Sequence, residues 1–189
     1  MEIQTFNPRL GAQAAVERTD RITIGTFLRA KLSSLLGREE EPEAVSLVYY
    51  PDYVAYTTVE LRRYLRDDRT VRFLVGIDAV TGRVGEVDVE LPPRETVEVD
   101  PDRAIPVELV PAEAESEWRD WILPYVDRRF RPFKRPEFLL DELELVHVPY
   151  WLIDYGTLAD SYVVSGLTEQ IEEVVSIKPV ESYYEHTTG

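Results

Sequence analysis

A proline stands inside each of two apolar, aromatic-rich runs, and no other feature of this chain limits its fold so strongly. Leu47-Val48-Tyr49-Tyr50-Pro51-Asp52-Tyr53-Val54-Ala55-Tyr56 returns in outline as Leu145-Val146-His147-Val148-Pro149-Tyr150-Trp151-Leu152-Ile153-Asp154. Runs this rich in β-branched and aromatic residues fit a pleated, half-buried surface and favour strand. A proline cannot donate a ladder hydrogen bond, so Pro51 and Pro149 are expected at a bulge, an edge or a strand break. With the prolines aligned, Leu47/Leu145 and Val48/Val146 are identical, and Tyr53/Trp151, Val54/Leu152 and Ala55/Ile153 match in apolar character. After a gap, Thr81 falls against Thr168. Repetition of this kind predicts two related β modules within one chain.

The sequence around the first copy extends the strand pattern. Val71, Phe73, Val75 and Ile77 alternate with Arg72, Leu74, Gly76 and Asp78, and Val87, Val89 and Leu91 alternate with Glu86, Asp88 and Glu90. Between them, Asp78-Ala79-Val80-Thr81-Gly82-Arg83 reads as a turn, giving a hairpin that the preceding strand joins as an antiparallel meander. Phe73 through Val84 resembles the strand–turn–strand ending of PepSY-like modules. That resemblance implies a non-catalytic module of the kind associated with inhibition or protein contact.

Helical periodicity appears twice. Residues 24, 27, 28, 32, 35 and 36 form an apolar stripe over Thr23 to Leu36, stopped by Gly37 and followed by a charged linker, Arg38 to Glu43. Trp118, Trp121, Ile122, Tyr125, Val126 and Phe130 form a second stripe, with Ser116 as its cap and Pro124 expected to kink or divide the helix. A shorter helix is expected from Pro136 to Leu143, while Glu169 to Val175 reads equally as strand or helix. Pro92, Pro93, Pro101, Pro106 and Pro111 mark an extended connector. The expectation is an α+β fold: an antiparallel sheet of two Tyr/Pro modules with an N-terminal helix and a central kinked helix. Its segments are 1–43 (helix and linker), 44–91 (first module), 92–112 (connector), 113–178 (helix and second module) and 179–189 (loose tail), together one compact domain.

Charge is the unusual part of the composition. Asp and Glu total 36 against 21 Lys and Arg in 189 residues, a formal net charge of −15, and 18 of the cations are Arg. Abundant carboxylates with scarce lysine resemble the cytoplasmic proteins of salt-loving archaea, although an acidic protein from an ordinary cytoplasm reads similarly. At about 1 M salt the Debye length is about 3 Å, so carboxylate repulsion is largely screened; in dilute buffer it opposes compaction. The absence of Cys excludes disulfides, thiolate nucleophiles and cysteine-ligated zinc. Met1 to Pro8 lacks a basic region followed by an apolar core, and no apolar run approaches the roughly 18 residues of a membrane span. A soluble, cytoplasmic protein is expected.

Catalytic signatures are scarce. His147 and His186 are the only histidines, and no Gly-x-Ser-x-Gly elbow, phosphate-binding glycine loop or dinucleotide fingerprint is present. Asp67-Asp68, Asp100 with Asp102, and Asp141-Glu142-Glu144 offer carboxylates, but with 36 acids such neighbours are the background of a solvated surface. No catalytic residue, metal ligand or cofactor is assigned. One segment stands apart: from Trp118 to Arg135 six cations face two acids. Arg128, Arg129, Arg131, Lys134 and Arg135 can clamp carboxylates or phosphates, and Phe130 and Phe133 can stack or pack on a partner. The leading expectation is a non-enzymatic binding or scaffolding protein that contacts a protein partner or itself as a homo-oligomer. The alternatives are a carboxylate- or metal-dependent hydrolase and a nucleic-acid-associated accessory protein. The charge balance generates one expectation: the melting temperature falls on dialysis from molar to millimolar KCl, and an unchanged value would refute the salt-adapted reading.

Overall fold

Proline placement is resolved by what each strand pairs with on either side of it. The computed structural model describes residues 1–25, 41–62 and 68–188. In chain order its elements are β1 (Glu2–Phe6), α1 (Ala12–Gly25), β2 (Ala44–Leu61), β3 (Arg69–Asp78), β4 (Val84–Glu86), β5 (Arg94–Glu98), α2 (Pro111–Phe130), β6 (Glu137–Asp154), β7 (Tyr162–Ser165), β8 (Ile171–Glu173) and α3 (Lys178–Thr188). The chain divides into two units: Met1–Tyr50, Leu91–Ile105 and His147–Gly189 form the first, and Pro51–Glu90 with Pro106–Val146 form the second. The long strands β2 and β6 each contribute one part to each unit.

The second unit carries the strand order β4-β3-β2-β6. The β2–β3 ladder is antiparallel from Leu61↔Arg69 to Asp52↔Asp78, and β4 continues the meander through Ile77↔Val84. Pro51 therefore lies one residue past the last rung. Its carbonyl accepts from Ala79 N–H at 3.1 Å, and the missing proline donor faces the turn, where β3 has ended. The strand itself is unbroken. Tyr53, Ala55, Val59, Leu61, Val75 and Ile77 alternate inward against Ala114, Trp118, Ile122 and Val126 of α2. Trp118 Nε1 donates to Thr57 Oγ1 at 2.9 Å, and Tyr53 OH donates to the Leu109 carbonyl at 3.0 Å, just ahead of the helix.

The helix α2 starts earlier than its stripe implied, at Pro111, and runs through Pro124 without division. An interior proline costs roughly 3 kcal/mol. Burial of Trp118, Ile122 and Val126 contributes about 1.5–3 kcal/mol per side chain, which exceeds that cost. The expected helix over residues 136–143 is instead the start of β6, because Phe138 and Leu140 pack on the core while Glu137, Leu139 and Asp141 point outward, a period of two. Val87 to Leu91, expected as strand, lies outside the elements; the strand is the shorter β4.

The first unit carries β2-β6-β1-β5, with β7 beside β6 and β8 beside β7. It contains a departure from an all-antiparallel sheet: β1 runs parallel to β6 at Thr5↔His147, fastened by Thr5 Oγ1 donating to the His147 carbonyl at 2.7 Å. The β6–β7 ladder ends at Tyr150↔Ser165, so Pro149 also sits just past a ladder end, its carbonyl accepting from Gly166 N–H at 2.8 Å. Leu10 and Ala15 pack with Ile153 and Val164. Trp151 Nε1 donates to the Leu10 carbonyl at 2.9 Å, and the Thr19 and Tyr155 hydroxyls lie 3.0 Å apart.

Other expectations shift here. The N-terminal helix occupies Ala12–Gly25, and the predicted stripe over 23–36 lies mostly outside the described residues. The connector over 92–112 holds β5, paired along β1, and a 3-10 turn at Pro101–Arg103 before α2 begins. Glu169 to Val175 contains both β8 and the first residues of a 3-10 turn. Of residues 179–189, expected as a loose tail, 179–188 lie in α3 and 189 lies outside the described residues. Val180 and Tyr184, four apart on one helical face, are both buried. Tyr184 OH donates to Asp154 Oδ1 at 2.7 Å, and Tyr183 OH donates to the Asp102 carbonyl at 2.6 Å. Asp154 Oδ1 also accepts from Gly156 N–H at 2.8 Å and Ser161 Oγ at 3.1 Å. Tyr184→Phe should therefore cost about 1.5–3 kcal/mol in chemical denaturation, the range for a hydrogen bond to a charged group, while exposed Ser182→Ala should leave stability unchanged.

Candidate functional site

The C-terminal end of α2 builds the basic segment. With Trp118, Ile122 and Val126 turned into the core, the helical period leaves Asp127, Arg128 and Arg129 on the solvent side of the last turn. Cations there complement the partial negative charge of the helix C-terminus. Arg131 closes the helix in the left-handed conformation, at φ 47°, with its N–H donating to the Asp127 carbonyl at 3.2 Å. Arg128, Arg129, Arg131, Lys134 and Arg135 are all exposed, and Phe133 is 60% exposed. Phe130 is partly buried against the core of the second unit, so it anchors the segment rather than presenting a free ring.

Among the described residues, ion pairs join Arg18 to Glu169, Arg62 to Glu137 and Arg119 to Glu115. None of them uses a cation from 128–135. Behind the segment, Trp121 stacks on Tyr125 at 4.3 Å between centroids, and Phe73 meets Tyr125 at 5.5 Å. Burial, together with its hydrogen bond to Glu86, pushes the Tyr125 phenol up to about 12, against the opposing pull of Arg129. Tyr125 is therefore a neutral donor that ties α2 to β4.

The histidines do not converge on a reacting group. His147 is buried in β6, and burial lowers its pKa, opposed in part by a hydrogen bond with the Gln4 backbone. Its Nδ1 has no hydrogen-bond partner among the described residues. His186 is exposed in the last turn of α3. Of the carboxylates singled out in sequence, Asp67 lies outside the described residues. Asp100 caps the 3-10 turn by accepting from Asp102 N–H at 3.2 Å, and Asp141 accepts from Thr58 Oγ1 at 2.6 Å. Among the described residues, no group of three or more His, Asp or Glu side chains is placed to hold a metal ion.

Sequence reading missed one carboxylate pair. Asp52 and Asp78, 26 positions apart in sequence, face each other across the last rung of the β2–β3 ladder. Asp78 is fully engaged: Oδ1 accepts from Val80 and Thr81 N–H at 2.9 Å each, and Oδ2 accepts from Thr81 Oγ1 at 2.5 Å. Asp52 has its pKa raised from 3.8 to about 7, first by burial and then by the Asp78 charge. Only the ladder register could have paired them, and no spacing rule in sequence supplies that register.

Comparison with protein-family models, with curated proteins and with solved structures returned no match. Among the described residues no helix is long and apolar enough to cross a membrane.

The Asp52 shift fixes a pH dependence. With its folded pKa near 7 and its unfolded value near 3.8, the native state holds the extra proton between them. Asp52's contribution to stability is then present below about 4 and is lost as pH rises through 7. Asp52→Asn should stabilise the protein at pH 8 by about 1–3 kcal/mol, less than the whole displacement from 3.8 to about 7 would imply, because the residue keeps some contact with solvent. Denaturant midpoints at pH 5 and pH 8 check this: no gain at pH 8 would remove the assignment.

Proposed function

We propose that the protein is a non-catalytic binding or scaffolding protein of a salt-rich cytoplasm, and that residues 128–135 are its contact surface for an acidic protein. The two Tyr/Pro segments act as the cores of related β modules, and the second unit carries this surface. The observation that carries the reading is the exposed cluster of Arg128, Arg129, Arg131, Lys134 and Arg135, outside every ion pair among the described residues, beside exposed Phe133. Guanidinium groups form bidentate bonds to carboxylates, and an aromatic among them supplies apolar area at low entropic cost. A chain of net −15 offers such carboxylates on its own surface, so a second copy is a chemically suitable partner. Phosphate backbones suit the same guanidiniums less well, since the remaining charge repels them and molar salt weakens their contacts steeply.

The test uses the full chain and the triple variant Arg128→Glu, Arg129→Glu, Arg131→Glu. Sedimentation in molar KCl, with capture from a high-salt lysate, should show self-association or an acidic protein partner for the wild type. The triple substitution should weaken that contact about tenfold or more while leaving the circular dichroism unchanged. A wild type that stays monomeric and captures the same proteins as the triply substituted chain would end the proposal. Arginine-dependent binding to labelled RNA or DNA would replace it with the nucleic-acid reading.

A further inference from the structure

Hydrogen bond by hydrogen bond, the two units follow one plan. Asp78 N–H donates to the Arg83 carbonyl at 2.9 Å and the Asp78 carbonyl accepts from Gly82 N–H at 2.9 Å; Ser165 N–H donates to the Gln170 carbonyl at 2.8 Å and the Ser165 carbonyl accepts from Glu169 N–H at 3.0 Å. The Asp78 carboxylate takes the N–H groups of Val80 and Thr81, and Ser165 Oγ takes those of Leu167 and Thr168, at 3.3 and 3.2 Å. Gly82 and Glu169 occupy the same left-handed position, at φ 73° and 61°. Non-glycine residues seldom adopt that conformation, which makes the coincidence specific.

The agreement extends past the turns. Ala79 and Gly166 both donate to a proline carbonyl, and their own carbonyls both accept from the segment leading into a helix, Glu108 and Leu109 N–H in one case and Arg9 N–H in the other. Tyr53 bonds the Leu109 carbonyl as Trp151 bonds that of Leu10. The parallel bridge Tyr49↔Ala104 matches Thr5↔His147. Ala114 and Ala15, both fully buried, hold matching places on α2 and α1. Trp118–Thr57 in one unit answers Thr19–Tyr155 in the other, with the large and small residues exchanged between helix and strand.

Sequence position adds the decisive point. Residues 1–91 carry β1-α1-β2-β3-β4, and in residues 92–189 the Ala104 bridge stands in the place of β1 and is followed by α2, β6, β7 and β8. Yet α1 packs on Ile153 and Val164 of the second half, and α2 packs on β2 and β3 of the first. We infer that these halves are two copies of one β-α-β-β-β plan that bind each other as the subunits of an isologous dimer do. Each half is consequently a ready partner for the complementary half of a second copy of this chain.

The inference does not depend on the basic segment, and its test leaves that segment intact. A protease-recognition sequence is inserted into the full chain between Leu91 and Pro92, outside the elements; a control chain carries it between Thr157 and Leu158, inside the second half. Both proteins are confirmed as folded by circular dichroism, cut in the native state, unfolded in denaturant and refolded with an isotope-labelled copy of themselves. The connector-cut protein should recover its native spectrum and show one-to-one fragment pairs with light and heavy halves mixed, in native mass spectrometry. The control should recover at least tenfold less. Failure of the connector-cut halves to pair, or equal recovery from both cuts, would overturn the inference.

Discussion

Everything in each unit hangs on the docking of a helix entrance onto a hairpin. An aromatic side chain on the long strand, Tyr53 or Trp151, donates to the carbonyl of Leu109 or Leu10, two residues ahead of the helix. The same entrance is gripped from the other side by the carbonyl of Ala79 or Gly166 in the hairpin turn. A buried Tyr or Trp supplies a large apolar area together with one donor that must be satisfied. Placing that donor on a helix-entry carbonyl sets where the helix begins and which face meets the sheet. The buried alanines, Ala15 and Ala114, then permit close approach of helix to strand.

The two units solve the same problem with different residues, and the differences compensate locally. A carboxylate in one turn and a hydroxyl in the other accept the same pair of N–H groups. Trp118 over Thr57 is traded for Thr19 beneath Tyr155, keeping both a hydrogen bond and roughly the packed volume. Glycine placement also diverges. A Cβ at Gly166 would lie 2.8 Å from the Pro149 carbonyl oxygen, so that turn has no room for a side chain, whereas its counterpart accommodates Ala79. The two units thus share these hydrogen bonds with little identity in sequence, and only a short apolar match around the prolines is visible by eye.

The basic segment was legible because a helical stripe fixes its own outward face. Once Trp118, Ile122 and Val126 are taken as core, Arg128 and Arg129 must lie outside, and Pro132 and Pro136 keep the following residues from continuing the helix. The role of Phe130 was not legible, since whether an aromatic at a helix end packs or projects depends on what the sheet offers beneath it. The Asp52–Asp78 pair was hidden for a stricter reason: it exists only in the ladder register. The C-terminal helix was missed because its apolar face is just Val180 and Tyr184, too sparse to signal without the Asp154 acceptor that Tyr184 reaches.

By itself the sequence determined the strand character of the two Tyr/Pro runs, the β3–β4 hairpin with its turn at Asp78, the apolar stripe of α2 and the basic segment on an acidic chain. These are local consequences of periodicity, turn chemistry and charge, each readable within one element. Tertiary structure alone decided that Pro51 and Pro149 end a ladder without ending a strand, that β1 joins β6 in parallel, and that α1 and α2 each pack on strands from the other half of the chain. Those outcomes depend on which distant segment supplies the missing apolar surface and hydrogen-bond partners, and no window of sequence contains that information.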